Sequence, residues 1–227
     1  MQIFVFDPLI AAEKVRHVQF LRHLEAGGPL TVEQLRLFAG QWWHTVRGHK
    51  LALLHLPMTL FDFDAGYLSR VTHEIAEEFG GGDVAQSHDI LLKTFVDWIG
   101  ADLANSDATP EVKAFSEFAL KVWSDVASPW KAIGFHVTLE YIAGMTHGIL
   151  AAALIRSNVP DEPRRYFDLH VGAEIDHATA ARLALQDVLE RRRTDPRAHE
   201  EIYAGQQLAV HACEVLFIGL GRVILSR

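Results

Sequence analysis

The residues best placed to do chemistry are two histidines and a carboxylate in the run His170-Val-Gly-Ala-Glu174-Ile-Asp-His177. On a helix turning about 100° per residue, positions four and seven further on fall roughly 40° and −20° from the first. His170, Glu174 and His177 therefore share one stripe, with Asp168 and Asp176 off it. Two imidazoles and a carboxylate without thiolate suit a first-row transition metal such as iron or manganese. Glu140 is a second candidate, set in TLEYIAGMTHGIL among Leu139, Ile142, Ala143 and Ile149. A carboxylate buried on such a helix is costly unless a metal, a proton or a cation meets it. The third candidate is Glu78-Phe-Gly-Gly-Gly-Asp-Val-Ala-Gln-Ser-His88. Its triple glycine ends one helix and Asp83 starts another, so Glu78 and His88 can converge from two elements. Three regions then offer three carboxylates and three imidazoles, an inventory for two metals.

Helices must carry these groups, because the chain shows helical periodicity and no convincing alternation of period two. Residues 10–26 form a first helix stopped by Gly27-Gly28-Pro29. Thr31-Val32-Glu33-Gln34 reads as a capping box opening a helix to about Leu56, before Pro57. Further helices are expected over 67–79, 84–100, from Thr109-Pro110 to Ser128, over 131–157, over 161–193, and from Asp195-Pro196 to the end. The fold class is all-α, a bundle of seven or eight helices, and the absence of linkers or repeats makes 1–227 one domain. The last helix, HACEVLFIGLGRVIL, is apolar almost all round. It belongs in the core or, alternatively, in the interface of a homodimer.

Composition removes several function classes. The 227 residues carry 21 basic and 29 acidic side chains, a net charge of −8, so no basic surplus exists for nucleic acid. A single cysteine, Cys213, excludes a disulfide framework and a thiolate zinc cluster, and in its apolar helix it reads as a small hydrophobe. The opening MQIFVF lacks a basic flank and is soon cut by Asp7-Pro8, so a signal peptide is not expected. Charges interrupt the longest apolar stretches, so no membrane span is expected and the location expected is cytoplasmic.

The arrangement resembles the haem-oxygenase-like diiron oxidases and oxygenases, which share a fold with haem oxygenase, the TenA thiaminases and pyrroloquinoline quinone synthase. The family pattern is a Glu, a His shortly after it, a Glu on a central helix, and H-x3-D-x2-H about thirty residues on. Glu78, His88, Glu140, and His170, Glu174 and His177 match it here, with Glu174 standing where the family usually has Asp. The resemblance covers nearly the whole chain. It implies two non-haem irons held by these six residues, dioxygen as co-substrate, and oxidation of an amino acid, an amine or a fatty acid. Hydroxylation, N-oxygenation, desaturation and C–C cleavage are the outcomes it implies. The partner it implies is a small-molecule substrate, with the external electron donor left open.

Other candidates weigh less. Of the three neighbouring acids, Glu78 matches the family spacing, and Glu74 and Glu77 are expected in solvent. His136 and His147 flank Glu140 on roughly its own face, where each is expected as an ordinary core histidine or, failing that, as a hydrogen-bond support to a ligand or a pocket wall. Gln41-Trp42-Trp43-His44 is packing or a substrate wall. His17 and His23 are where a haem ligand would stand, but haem leaves the six-residue set unexplained. A cofactor-independent oxidase or TenA-like hydrolase of the same fold, and a non-catalytic metal-binding protein, are the rival readings. A TenA-type nucleophile would need an activated cysteine, and Cys213 has no evident base.

Overall fold

Helix ends follow local chemistry along most of the chain. The computed structural model describes residues 6–226, with the side chains of Glu174 and Ile175 outside the described set. Asp7 accepts hydrogen bonds from the Leu9 and Ile10 N–H groups and opens α1 (Pro8–Arg16). The expected helix over 10–26 is in fact two, because Val18 is extended at φ −61° and ψ 136°. That break turns Phe20, Leu21 and Leu24 of α2 (Gln19–Glu25) into the core. Thr31 and Gln34 form the capping box of α3 (Val32–Leu53). Pro57 falls in the first turn of a short α4 (Leu56–Leu60), where its missing N–H costs nothing.

Asp64 caps α5 (Ala65–Glu78) by accepting from Tyr67 N–H. Arg191 grips the same carboxylate at 2.8 and 3.0 Å. The triple glycine closes α5: Gly80 and Gly81 N–H donate back to Glu77 and Ala76 carbonyls, each at 2.8 Å. All three glycines have positive φ, and a Cβ on Gly80 would stand 2.1 Å from Asp83 O. Asp83 then caps a 3-10 turn (Val84–Gln86), and α6 (His88–Ile99) follows. The remaining helices are α7 (Pro110–Trp123), α8 (Pro129–Arg156), α9 (Asp161–Arg191) and α10 (Ala198–Ile224). Among the described residues there are ten α-helices, one 3-10 turn and no strand, so the all-α expectation holds. The two helices beyond the expected eight come from the break at Val18 and from α4.

Helix α8 is the axis of the bundle, packed between α9 and α10. Trp130, Ile133, Phe135, Val137, Ile142, Leu150 and Leu154 are buried around its circumference, as a helix apolar on all sides requires. Helix α10 puts Ala209, Cys213, Leu216, Phe217 and Leu220 into the same core. Contrary to the expectation from charge placement, α8 and α10 are each long and apolar enough to cross a membrane. Of their most apolar stretches, 56% and 50% is buried inside the bundle, which is what core helices give.

Candidate metal centre

Four helices bring the acidic and imidazole groups to one place in the bundle. Helix α5 contributes Glu74 and Glu78, four residues apart and so on one face. Helix α6 contributes His88, its first residue, and α8 contributes Glu140. Helix α9 contributes His170 and His177. They sort into two groups, Glu78/His88/His170 and Glu74/Glu140/His177, and within each the ligand atoms lie within 4.8 Å of one another. The single stripe expected on α9 thus divides between two positions. The side chain of Glu174, the remaining member of that stripe, lies outside the described residues.

In the first group, His88 Nδ1 is 2.8 Å from Glu78 Oε1, and the His88 and His170 ring centres are 4.4 Å apart. Burial pushes the Glu78 carboxyl up, but the His88 hydrogen bond and the nearby imidazoles outweigh it and hold the pKa at about 2. His170 is held down at about 4, first by burial and then by His88. Its Nδ1 lies 2.6 Å from the Tyr166 carbonyl. A carbonyl only accepts, so Nδ1 carries the proton and Nε2 presents the lone pair, the usual tautomer of a metal-ligating histidine. At neutral pH both groups are in the forms that bind a metal.

The second group is built on charge compensation. Glu74 is only 4% exposed, with Arg70 at 3.0 Å and His136 Nε2 at 3.0 Å. The expectation that Glu74 faces solvent therefore fails. Glu77 is half exposed, yet it reaches His177 Nε2 at 3.0 Å. Burial raises the Glu74 carboxyl, but His136 and Arg70 prevail and lower it. His136 is pushed down by burial and, more strongly in sum, up by Glu74 and Glu140. Glu140 Oε2 is 3.7 Å from His177 Nδ1, and its Oε1 is 3.8 Å from His136 Nε2. Tyr67 OH shares a hydrogen bond of 3.0 Å with His136 Nδ1. His136 thus supports two carboxylates, the less favoured of the roles open to a buried histidine on the Glu140 face.

Beside both groups is a cavity of about 90 Å³ lined from α3, α5, α7, α8, α9 and α10. Trp42, Val46, Leu139, Ile142, Leu216 and Phe217 form much of its wall. His147 lines it too, stacked on His170 at 4.5 Å and donating Nδ1–H to the Ala143 carbonyl. Of the aromatic run on α3, only Trp42 lines the cavity; Trp43 stacks under Arg47 and His44 bonds the Ser106 carbonyl. The sequence reading missed His49 and Tyr166, which also line it. The i, i+4 spacing of Glu74 and Glu78 was the available signal for Glu74. Nothing local marks His49. His17 and His23 are exposed, away from the cavity wall. Cys213 reaches the cavity, but burial raises its thiol well above the ordinary range, away from thiolate.

Glu78 and His88 are held in place from α3. Lys50 Nζ lies 2.6 Å from Asp89 Oδ1 and 3.0 Å from Ser87 Oγ, and its ammonium sits 4.0 Å from the centre of the Phe79 ring. Ser87 Oγ in turn contacts the Glu78 carbonyl at 3.3 Å. Lys50→Ala is expected to cost about 2 kcal/mol of stability, from hydrogen bonds to a charged group. It should also weaken metal binding at Glu78/His88/His170 about tenfold, as loss of an outer support does. Fe(II) titration with chemical denaturation checks this; unchanged affinity at that position would show that the tether does not orient the ligands.

The chain matches the family model of iron-containing redox enzymes over residues 36–212. A CADD-like protein of unknown function from Nostoc punctiforme PCC 73102 superposes with a TM-score of 0.76 at 14% identity, covering 96% of this chain and 97% of its own. A domain of unknown function with a haem-oxygenase-like fold, from Shewanella denitrificans OS217, gives 0.73 at 14% identity over 94% and 88%. A TenA family transcription regulator from Silicibacter sp. TM1040 gives 0.63 at 17% identity over 96% and 92%. At these identities the likeness shows the fold, which is haem-oxygenase-like. No curated protein matches the chain in sequence.

Proposed function

Given that the chain belongs to the iron-containing redox enzymes, we propose that it is a non-haem diiron oxidase or oxygenase that uses dioxygen to oxidise a small organic substrate. The observation that carries this reading is the pair of adjacent carboxylate–histidine groups. Donors drawn only from carboxylate oxygen and imidazole nitrogen fit iron, and each group leaves room for exogenous ligands. Glu78, His88 and His170 would hold one ion and Glu74, Glu140 and His177 the other, with Glu174 on the same stripe of α9.

Two irons bound there supply the redox chemistry that activates dioxygen. The protein does the rest. The Tyr166 carbonyl orients His170 through Nδ1–H, and Arg70 with His136 keeps Glu74 ionised inside the bundle. The apolar wall keeps water from the substrate space, which guards a reactive site against wasteful side reactions. The raised thiol of Cys213 speaks against a TenA-like hydrolase with a cysteine nucleophile.

Anaerobic Fe(II) titration followed by mixing with oxygenated buffer tests the reading. Saturation at two Fe(II) per chain with oxygen consumption afterwards is expected. Saturation at one, or a Soret band on adding haemin, would overturn it.

A further inference from the structure

The chain has five tryptophans, and their indole N–H groups fare differently. Trp130 Nε1 donates to Asp195 Oδ2 at 2.9 Å. Trp43 is half-buried and Trp98 is exposed, so solvent can supply their acceptors. Trp42 and Trp123 are buried, and among the described residues neither Nε1 has a hydrogen-bond partner. Of these two only Trp42 lines the cavity. It is 4% exposed, with Phe38 and Phe217 stacked on it at 5.5 and 6.3 Å and His147 edge-on at 5.8 Å. The His147 ring also stacks on His170 at 4.5 Å, which sets Trp42 beside the Glu78/His88/His170 group. The other hydroxyls of the wall are spent: Thr45 and Thr146 donate to carbonyls of their own helices, Gln41 O and Ala143 O.

An indole N–H can only donate. Left unmet inside a protein it is a standing cost, and an acceptor arriving through the cavity would remove that cost. We propose that Trp42 Nε1–H is the donor that positions the substrate: it takes a carbonyl or carboxylate oxygen of the molecule that enters the cavity. The substrate class is then one that carries such an oxygen near the atom to be oxidised, because Trp42 stands beside the first metal group. A charged oxygen is admissible as well as a neutral one. Metals bound at the neighbouring groups would offset the carboxylates that hold them, as bound cations dominate the local charge of a site. The proposal rests on the diiron reading for the reaction, but not for the binding.

Nuclear magnetic resonance of protein isotopically labelled at the indole nitrogens tests it. The metal-free protein is compared with its Zn(II)-loaded form, Zn(II) standing in because Fe(II) would broaden the signals. Small probes suit a cavity of about 90 Å³, less than the roughly 150 Å³ that takes benzene. Butanamide and butanoate carry the oxygen; butylamine, of the same chain length, does not. The Trp42 indole proton, assigned through its bonds, should move downfield when butanamide or butanoate binds, while the Trp123 signal stays in place. Trp42→Phe keeps an aromatic ring and loses the donor. It should bind these two probes about five- to tenfold more weakly, the usual worth of one hydrogen bond. The proposal is overturned if neither oxygen-bearing probe moves the Trp42 signal in the loaded form, or if butylamine moves it as far. A folded Trp42→Phe protein that binds butanamide and butanoate as before would also overturn it. The signals of the unaltered protein decide the matter even if Trp42→Phe fails to fold, and the tighter of the two probes tells a carbonyl from a carboxylate. Fe(II) stoichiometry on the same preparation separates the two readings: two equivalents with a silent Trp42 signal refutes this proposal alone, and a responding signal without iron binding refutes the diiron reading alone.

Discussion

Replacing His170 by Ala should leave one Fe(II) per chain instead of two, and so should replacing His177, because the two histidines belong to different groups. Oxygen-dependent turnover should fall at least about 100-fold in each, since even outer partners of metal ligands cost 10–100-fold when removed. The double replacement should bind none tightly. Helical content should persist in all three, because α9 runs Asp161–Arg191 and is anchored by Tyr166, Phe167, Ala181, Leu185 and Val188 in the core. Anaerobic titration read by circular dichroism of the metal bands, with far-ultraviolet spectra of the same samples, checks the set. If either single variant still takes up two equivalents, the division of the stripe between two positions is refuted. The acid side has a known sign. His170 is held at about 4, below the ordinary value of about 6.5, so the unfolded chain takes up its proton first. Stability of the metal-free protein should therefore drop as pH falls from about 6.5 towards 4.

Gly205→Ala should be a strongly damaging substitution in the frame. Helices α8 and α10 cross with their backbones in contact: a Cβ on Gly205 would stand 2.2 Å from Lys131 O, and one on Gly134 would stand 2.2 Å from Ile202 O. Backbone cannot rotate out of the way as a side chain can. The helices must separate, and overpacking of this kind costs about 3 kcal/mol. For a chain of this size that is a fall of roughly 6–12 °C in Tm. Gly148→Ala on the same α8 is the control. Nothing lies within 4 Å of its Cβ position, and alanine is favoured over glycine in a helix by about 1 kcal/mol. Its Tm should be unchanged or higher. A Gly205→Ala protein within 2 °C of the unaltered one, by the same roughly 2–4 °C per kcal/mol, would show that the crossing can relax.

The helices were legible because their signals are local. Thr31 and Gln34, Asp83 and Thr109-Pro110 each act within four residues of themselves, and the structure uses each as a cap or a first turn. The break at Val18 was not legible, since the gain that drives it is burial of Phe20, Leu21 and Leu24 against helices far along the chain. The same division runs through the candidate site. Glu140 and the His170–His177 stripe stood out as polar groups against apolar or periodic surroundings. Glu74 did not, because among three neighbouring acids the buried one is chosen by what faces it, here Arg70, His136 and Glu140.

Sequence by itself determined that the chain is helical, where most helices start, and that carboxylates and imidazoles recur at one-face spacing. Only the tertiary structure decided how those groups divide: His170 with Glu78 and His88, His177 with Glu74 and Glu140. It alone brought His49 to the cavity wall. The physical reason is that helix spacing sets which side chains share a face, whereas their partners are set by packing between α5, α6, α8 and α9. That packing is a sum of many small apolar contacts, no one of which is written at the residues it brings together.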